Sequence, residues 1–358
     1  MHRFVLRTTF AAAVLTLALA AAAPVPAAPP GGTFEVTPLV SDVPGAAAVT
    51  DPNLVNAWGL TRSPTSPWWV ADNGALKSTL YNSAGTPNSL VVGVGGPTGG
   101  PTGAVFAGID GNFLVATDTS TDLARASFIF DSEDGMIRAW RGGGTALVTA
   151  SGDPGAVFKG LAIAQPTLGQ PLLYAADFHN ARVDVFNGAW QSVTLAGSFV
   201  DPTLPSGYAP FGIQTIGDRV FVSYAKQDAD AKDEIAGQGR GFVDAYDLAG
   251  NLLARVAEQG QLNAPWGLAR APASFGRFAG DILVGNFGDG QINAYAETAD
   301  GWEHRGTLRG TDGKKLVIDG LWALQFGNGG QNGTPDTLFF TAGPNDESHG
   351  LFGTITPG

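Results

Sequence analysis

A short turn of the form aromatic-Gly-aliphatic, with some variation, recurs six times along the 358-residue chain. Each copy is followed by an apolar strand and then by a second strand that ends in an aromatic residue. The spacings between copies are 44, 57, 52, 55 and 53 residues, counted between Gly59, Gly103, Gly160, Gly212, Gly267 and Gly320. A strand-rich repeat of roughly 40 to 50 residues is typical of a propeller blade. The pattern predicts an all-β, six-bladed β-propeller of four-stranded antiparallel blades.

Three further features of the predicted ring follow from the order of the strands. Residues 33–40 resemble a strand ahead of the first repeat, and we expect them to complete the last blade as its outermost strand. Pro38 is tolerated there because an edge strand has unpaired N–H groups. In blade two, the apolar residues 113–116 are expected to be the second strand. Residues 225–236 are too polar to pack as a helix, which predicts a long loop in blade four.

The first 27 residues have the pattern of a secretory signal peptide. Arg3 and Arg7 precede an apolar stretch and a small-residue cleavage site near Ala27. No later stretch is long and apolar enough to span a membrane, so no integral membrane span is expected. The sequence thus predicts a signal peptide over 1–27 and a single propeller over 28–358. The mature protein is expected to be soluble and either secreted or periplasmic.

Charge and composition limit which classes of partner and which kinds of site the protein can have. Removing the two arginines of the leader leaves 18 basic and 32 acidic residues, a net charge of −14. Such an acidic surface disfavours nucleic acid and anionic membranes. The chain has no cysteine, which excludes disulfides, thiolate metal sites and a cysteine nucleophile. We expect a monomer whose partner is an unknown small molecule or an envelope protein.

The repeats resemble NHL-type six-bladed propellers and their gluconolactonase-like, strictosidine-synthase-like and virginiamycin B lyase relatives. The six Gly-centred turns and the Val-Ala-Asp-Asn type of strand that follows them carry this resemblance. The mature chain is more closely similar to an uncharacterised bacterial family of exported propellers, many of which end in a PEP-CTERM sorting tail. The segments that carry this closer similarity are 51–60, 69–73, 209–213, 264–268 and 350–353. This chain ends without that tail, and the family implies no established activity.

Side chains at the starts of the first strands and after the second strands are expected to meet at one end of the axial channel. The residues expected to line this end and contact a ligand are Asn56, Trp58, Lys159, Tyr208, Asn263, Trp266 and Trp322. The tryptophans could form an aromatic floor for a sugar or an apolar ligand, or they could pack between blades.

Carboxylate and amide side chains in the same turns are candidate ligands for a hard cation such as Ca²⁺. They are Asp72, Asp177, Asn286 and Asp319. The resemblance to gluconolactonase-like propellers implies a similar set around an axial metal. The alternative is that these residues form turns and cap backbone groups. No cofactor is certain from the sequence.

Two histidines follow the second strands of the opposed blades three and six. His179 and His349 could act as general acid and base, because each titrates near neutrality. They could equally be exposed loop residues. Two functions stay open: a binding or scaffold protein of the cell envelope, and a calcium-assisted hydrolase or lyase such as a lactonase.

Overall fold

Residues 32–108 and 113–358 are described in a computed structural model of the chain, and the predicted signal peptide lies outside them. They form 26 β-strands and two short 3₁₀ helices. The strands of the first half are β1 (Phe34–Ser41), β2 (Val49–Thr50), β3 (Ala57–Thr61), β4 (Trp68–Asp72), β5 (Lys77–Tyr81), β6 (Val92–Gly93), β7 (Pro101–Phe106), β8 (Leu114–Thr117), β9 (Ser120–Arg125), β10 (Phe128–Ser132), β11 (Met136–Trp140), β12 (Leu147–Ser151), β13 (Phe158–Thr167), β14 (Gln170–Asp177) and β15 (Arg182–Asn187).

The second half of the chain continues the series of strands. Its strands are β16 (Tyr208–Ile216), β17 (Arg219–Lys226), β18 (Phe242–Asp247), β19 (Leu252–Glu258), β20 (Pro265–Arg270), β21 (Ile282–Asn286), β22 (Ile292–Thr298), β23 (Gly301–Thr307), β24 (Leu321–Phe326), β25 (Leu338–Ala342) and β26 (Leu351–Pro357). The 3₁₀ helices are Gly276–Phe278 and Gly330–Asn332.

Six antiparallel sheets form the blades of a β-propeller, as the repeat predicts. From the inside outwards they are β3-β4-β5-β6, β7-β10-β11-β12, β13-β14-β15, β16-β17-β18-β19, β20-β21-β22-β23 and β24-β25-β26-β1, with β2 added beside β1. The innermost strands β3, β7, β13, β16, β20 and β24 contact one another in a closed ring. In blade three, the residues after β15 take the outer position through the Val193 N–H, which donates to the Val185 carbonyl over 2.9 Å.

Blade six contains strands from both ends of the described chain. Strand β1 pairs antiparallel with β26, with Phe34 opposite Pro357 and Ser41 opposite Leu351. Phe34 is 1% exposed and its ring lies 4.9 Å from that of Phe275. This pairing gives blade six its fourth strand.

The repeat glycines lie where neighbouring innermost strands come closest. A Cβ atom added to Gly59, Gly103, Gly212 or Gly267 would lie closer than 3.0 Å to the backbone of the next innermost strand. At Gly160 the nearest atom would be the Phe211 carbonyl oxygen at 3.1 Å. The repeated glycine is therefore a packing requirement of the ring.

Two details of the predicted repeat are wrong. The sixth copy of the repeat glycine is Ala323, because Leu324 pairs with Phe340 as Leu268 pairs with Val284 in blade five. Gly320 lies in the preceding turn with φ 63°. Residues 113–116 are not the second strand of blade two, a position that β10 takes; Leu114–Thr117 pairs with β9 in an inserted hairpin.

The apolar character of residues 113–116 has another cause. Phe113 and Val115 are buried, but the Phe113 ring packs at 4.8 Å against Trp190 of the neighbouring blade. The apolar pattern of residues 113–116 indicates that they are buried, but it does not indicate which blade they pack against. In blade four, β17 continues to Lys226, so the long loop covers 227–241. In the described part of the chain no helix has the length and apolar character needed to cross a membrane.

Candidate functional site at the propeller axis

One side chain from each blade fills the axis just before the repeat position. These six residues, the axial plug, are Trp58, Thr102, Lys159, Phe211, Trp266 and Trp322. The rings of Trp58 and Trp322 stack at 3.6 Å, and Trp266 meets Trp322 edge to face at 5.8 Å. Trp58 and Trp322 are 2% and 0% exposed, so they pack against each other and close the channel. Of the two interpretations of the tryptophans, the structure favours packing.

Lys159 is the one charged member of the axial plug. Its side chain is 1% exposed, and its Nζ lies 2.7 Å from Glu133 Oε1 and 3.2 Å from Asp233 Oδ1. The same atom lies 5.2 Å from the centre of the Trp58 ring. Burial alone would lower the pKa of Lys159, but the surrounding carboxylates raise it above its ordinary value. The lysine is therefore a fixed positive charge at the axis.

Two asparagines connect this charge to the rest of the face. Asn73 Nδ2 donates to Glu133 Oε2 over 3.0 Å. Asn56 Nδ2 donates to Glu347 Oε2 over 2.7 Å and to Asn73 Oδ1 over 3.3 Å. Asn56 adopts φ 48°, a left-handed conformation that asparagine tolerates better than most residues. We define the axial polar cluster as the residues joined by these contacts together with Glu234, which interacts electrostatically with Lys159. Its members are Asn56, Asn73, Glu133, Lys159, Asp233, Glu234 and Glu347.

Three different blades supply the four carboxylates of this cluster. Glu133 lies between β10 and β11, Asp233 and Glu234 lie in the loop 227–241, and Glu347 lies between β25 and β26. All of these connections follow second strands. Because each second strand runs antiparallel to the first, its end lies beside the start of the first strand, where Asn56 and Lys159 lie.

The electrostatics of the cluster separate its carboxylates into two kinds. Burial acts to raise the pKa of Glu133, but Lys159 and Asn73 more than offset it, so the pKa is lowered. Burial raises the pKa of Glu234 to about 7, with Glu347 and Asp233 adding to the effect. Burial also raises the pKa of Glu347, although its bond from Asn56 opposes this. Carboxyl groups whose pKa values are shifted in opposite directions thus lie around the Lys159 ammonium.

The repeat pattern predicts Asn56 and Lys159 at this face, and Asn73 follows the second strand of blade one, but the pattern does not reveal the four acidic residues. The acids lie in loops of unequal length, so the repeat spacing does not align them. Two other residues expected to contact a ligand support the surrounding structure. Asn263 Oδ1 accepts the Gly237 N–H over 2.5 Å and anchors the loop 227–241. Tyr208 packs at 4.8 Å against Phe242, with Lys226 5.2 Å from its ring.

The residues expected to bind calcium are spread over four blades. Asp177 accepts from Asn180, Asn286 donates to Asp289, and Asp319 accepts from the Asn345 N–H. The Asp72 carboxylate is enclosed, and burial raises its pKa well above the ordinary range. Within residues 32–108 and 113–358, no group of three or more His, Asp or Glu side chains could hold a metal ion. The expected donor set is not assembled in the described residues, and calcium stays a prediction from the resemblance.

The two histidines lie apart from the axial polar cluster. His349 Nδ1 lies 2.9 Å from Asp42 Oδ2, and the side chain is 41% exposed. His179 is exposed beside Gly155. In the described residues neither imidazole forms a hydrogen bond or ion pair with a member of the cluster. Their proposed acid–base role stays a prediction.

Comparison with solved structures identifies relatives of the fold. A streptogramin B lyase matches 91% of this chain and 97% of its own, with a TM-score of 0.50 and 13% identity. The soluble aldose sugar dehydrogenase of Escherichia coli, in its apo form, matches 91% and 100%, with a TM-score of 0.54 and 11% identity. At such identities the likeness shows the fold alone.

Sequence comparison gives more specific relatives. No family model matches the chain. The uncharacterised protein L690 of Acanthamoeba polyphaga mimivirus is 29% identical over 342 residues, which cover 90% of this chain and 86% of that protein. The uncharacterised protein R648 of the same virus is 31% identical over 338 residues, which cover 90% and 80%. These viral relatives do not test the predicted bacterial family or export. The chain belongs to the family of the mimivirus protein R648.

Proposed function

We propose that the protein is a hydrolase or lyase that acts on a small polar substrate at the axial polar cluster through general acid–base chemistry. One observation carries this proposal: Glu234, with its pKa raised to about 7, directly follows Asp233, whose carboxylate lies 3.2 Å from the Lys159 ammonium. A carboxyl group that titrates near neutrality can both accept and donate a proton under physiological conditions. Environments that push carboxyl pKa values apart are typical of acid–base sites.

The roles of the residues follow from their charges. In ester or lactone hydrolysis, Glu234 as carboxylate takes a proton from the attacking water while the new C–O bond forms. Negative charge then develops on the carbonyl oxygen, and the Lys159 ammonium stabilises it through space. The leaving alkoxide takes the proton back from Glu234. In a lyase reaction the same carboxylate would remove a proton from carbon beside a carbonyl group.

A binding protein without turnover is the second candidate. The observation that favours it is the burial of Lys159, whose ammonium is enclosed by the loop 227–241 and its carboxylate partners. A group that cannot contact the substrate directly stabilises a transition state less than one that can. This alternative retains the envelope-binding function expected from the sequence.

The test combines turnover with matched variants. Purified protein is assayed on lactones, aryl esters and β-eliminating substrates across pH 5–9. We expect turnover of at least one class, reduced roughly 100-fold or more in Glu234→Gln. The exposed Glu303, on the outer strand β23, provides the control Glu303→Gln, which should match the parent. Equal rates in parent and Glu234→Gln would reject the catalytic role, and no turnover of any class would favour the binding protein.

We also propose that the chain is exported and acts as a monomer. The basic start and apolar stretch of residues 1–27 support export, and the net negative charge supports a dispersed monomer. N-terminal sequencing of the protein recovered outside the cytoplasm should begin near Ala28. Recovery only from the cytoplasm with Met1 intact would contradict export.

A further inference from the structure

The axial channel opens on the face opposite the axial polar cluster. Beyond the axial plug the channel continues as a narrow shaft. Its lining includes Gly59, Gly103, Leu161, Ile213 and Ala323. The shaft widens into a cavity of about 240 Å³ near the ends of the innermost strands. Because the plug closes the other end, this cavity is a blind pocket with one mouth.

The wall of this pocket offers uncharged hydrogen-bonding groups. Each innermost strand has a hydrogen-bonded neighbour on one side only, so its other edge directs backbone N–H and C=O groups towards the axis. Of the described residues that line the cavity, only Arg62 is ionisable. Its Nη2 donates to the Phe326 carbonyl over 2.8 Å, and its guanidinium lies 5.2 Å from the Trp68 ring. Most of the wall therefore offers neutral hydrogen-bonding groups rather than charges.

Side chains at the mouth add to this character. Gln214, Thr215 and Gln325 line the cavity from two blades. Thr215 Oγ1 and Gln325 Oε1 are enclosed without a hydrogen-bond partner. An enclosed polar atom without a partner costs about 1–3 kcal/mol, which a bond to a ligand or water would recover.

We propose that this blind pocket binds a polyhydroxyl compound of monosaccharide size. Alternating hydroxyl donors and acceptors match the alternating N–H and C=O groups of the strand edges. The volume of about 240 Å³ leaves room for several water molecules or for one six-carbon sugar or polyol. The pocket lies at the opposite end of the axis from the axial polar cluster and does not depend on the proposed function.

Calorimetric titration of the full chain with glucose and with inositol tests the proposal. We expect binding of at least one of them at millimolar concentrations. Gln325→Leu should weaken binding roughly tenfold, equivalent to one hydrogen bond of about 1.4 kcal/mol. Thr215→Val is the second variant if Gln325→Leu does not fold. The exposed Gln238 on the other face provides the control Gln238→Leu.

The outcomes separate this pocket from the axial polar cluster. Unchanged sugar binding in Glu347→Gln, with weakened binding in Gln325→Leu, supports the proposal. Two results overturn it: no binding of either probe, which leaves water as the occupant, or binding lost in Glu347→Gln but kept in Gln325→Leu.

Discussion

A single lysine determines the electrostatics at the axis. Lys159 supplies the only ammonium in a group of four carboxylates within the described residues, and it is enclosed. Because Lys159 and Glu133 are both removed from water, each depends on the other to remain charged. Glu133 has a lowered pKa, so its contribution to stability is present above the ordinary pKa of a glutamate. That contribution disappears as the pH falls through the lowered value.

Removing the ammonium tests this dependence. Lys159→Met leaves Glu133 as an unpaired charge that is 16% exposed. We expect the free energy of unfolding to fall by about 3 kcal/mol at neutral pH. Denaturant unfolding measures it. Lys314→Met is the control, because Lys314 is 85% exposed and its contact with Asp312 at 3.6 Å is screened by water. It should change stability by about 0.5 kcal/mol at most, and a comparable loss in both variants would contradict the account.

Part of the axial polar cluster could be predicted from the sequence. Lys159 and Asn56 precede the repeat position, so their places follow from the repeat itself. Glu133, Glu234 and Glu347 follow second strands at different distances, and the loop 227–241 is much longer than its counterparts. Whether such a loop folds inwards depends on contacts such as Asn263 with Gly237, which no spacing reveals.

At the scale of the elements, close approach of the innermost strands explains the repeat. The equivalent position is Gly in five blades and Ala323 in the sixth, so tolerance of a methyl group varies around the ring. In blade six, the Ala323 N–H donates to Thr341 Oγ1 over 3.0 Å, as the Gly212 N–H donates to Ser223 Oγ over 3.0 Å in blade four. The hydrogen bond from the backbone N–H to a hydroxyl side chain of the second strand is thus the same with either residue.

Two equivalent glycines should respond differently to the same substitution. In Gly212→Ala the new Cβ would collide with the Trp266 carbonyl oxygen, whereas in Gly160→Ala the nearest atom lies at 3.1 Å. We expect a loss of about 2 kcal/mol or more for Gly212→Ala and less than about 1 kcal/mol for Gly160→Ala. Thermal and denaturant unfolding compare them. Equal losses would show that close approach does not explain the repeat.

The number of blades could be predicted from sequence because the glycine requirement repeats with the blade. The hairpin of β8 and β9 could not, because a buried apolar stretch looks the same whichever blade covers it. Val115 is buried while Leu114 is 44% exposed, an alternation that a strand in either place would show.

At the scale of the whole molecule, closure of the ring depends on the pairing of β1 with β26. Without β1, strand β26 becomes an unpaired edge and blade six loses Phe34 from its core. Blade six lies between blades five and one, so its loss of packing affects both neighbours.

Deleting residues 32–41 should therefore destabilise the entire propeller. We expect a loss of at least about 3 kcal/mol, the value for truncating one core phenylalanine. A chain that begins at Gly32 retains β1 and serves as the control. Unfolding is measured with denaturant for both. If the deleted chain unfolds at the same denaturant concentration as the control, the closure is not important for stability.

The proposed acid–base function depends on the charge of the axial polar cluster. Since burial raises the pKa of Glu234, the group binds its proton more tightly in the folded protein than in the unfolded chain. Its contribution to stability is therefore complete below the ordinary glutamate pKa and decreases as the pH rises towards about 7. Glu234→Gln should remove this decrease.

The most direct test is an NMR titration of the Glu234 side-chain carboxyl carbon, assigned by its disappearance in Glu234→Gln. The account predicts a pKa of about 7 in the folded protein. A midpoint near about 4.3, the ordinary value for an exposed glutamate, would contradict it and remove the basis for acid–base chemistry at the axis.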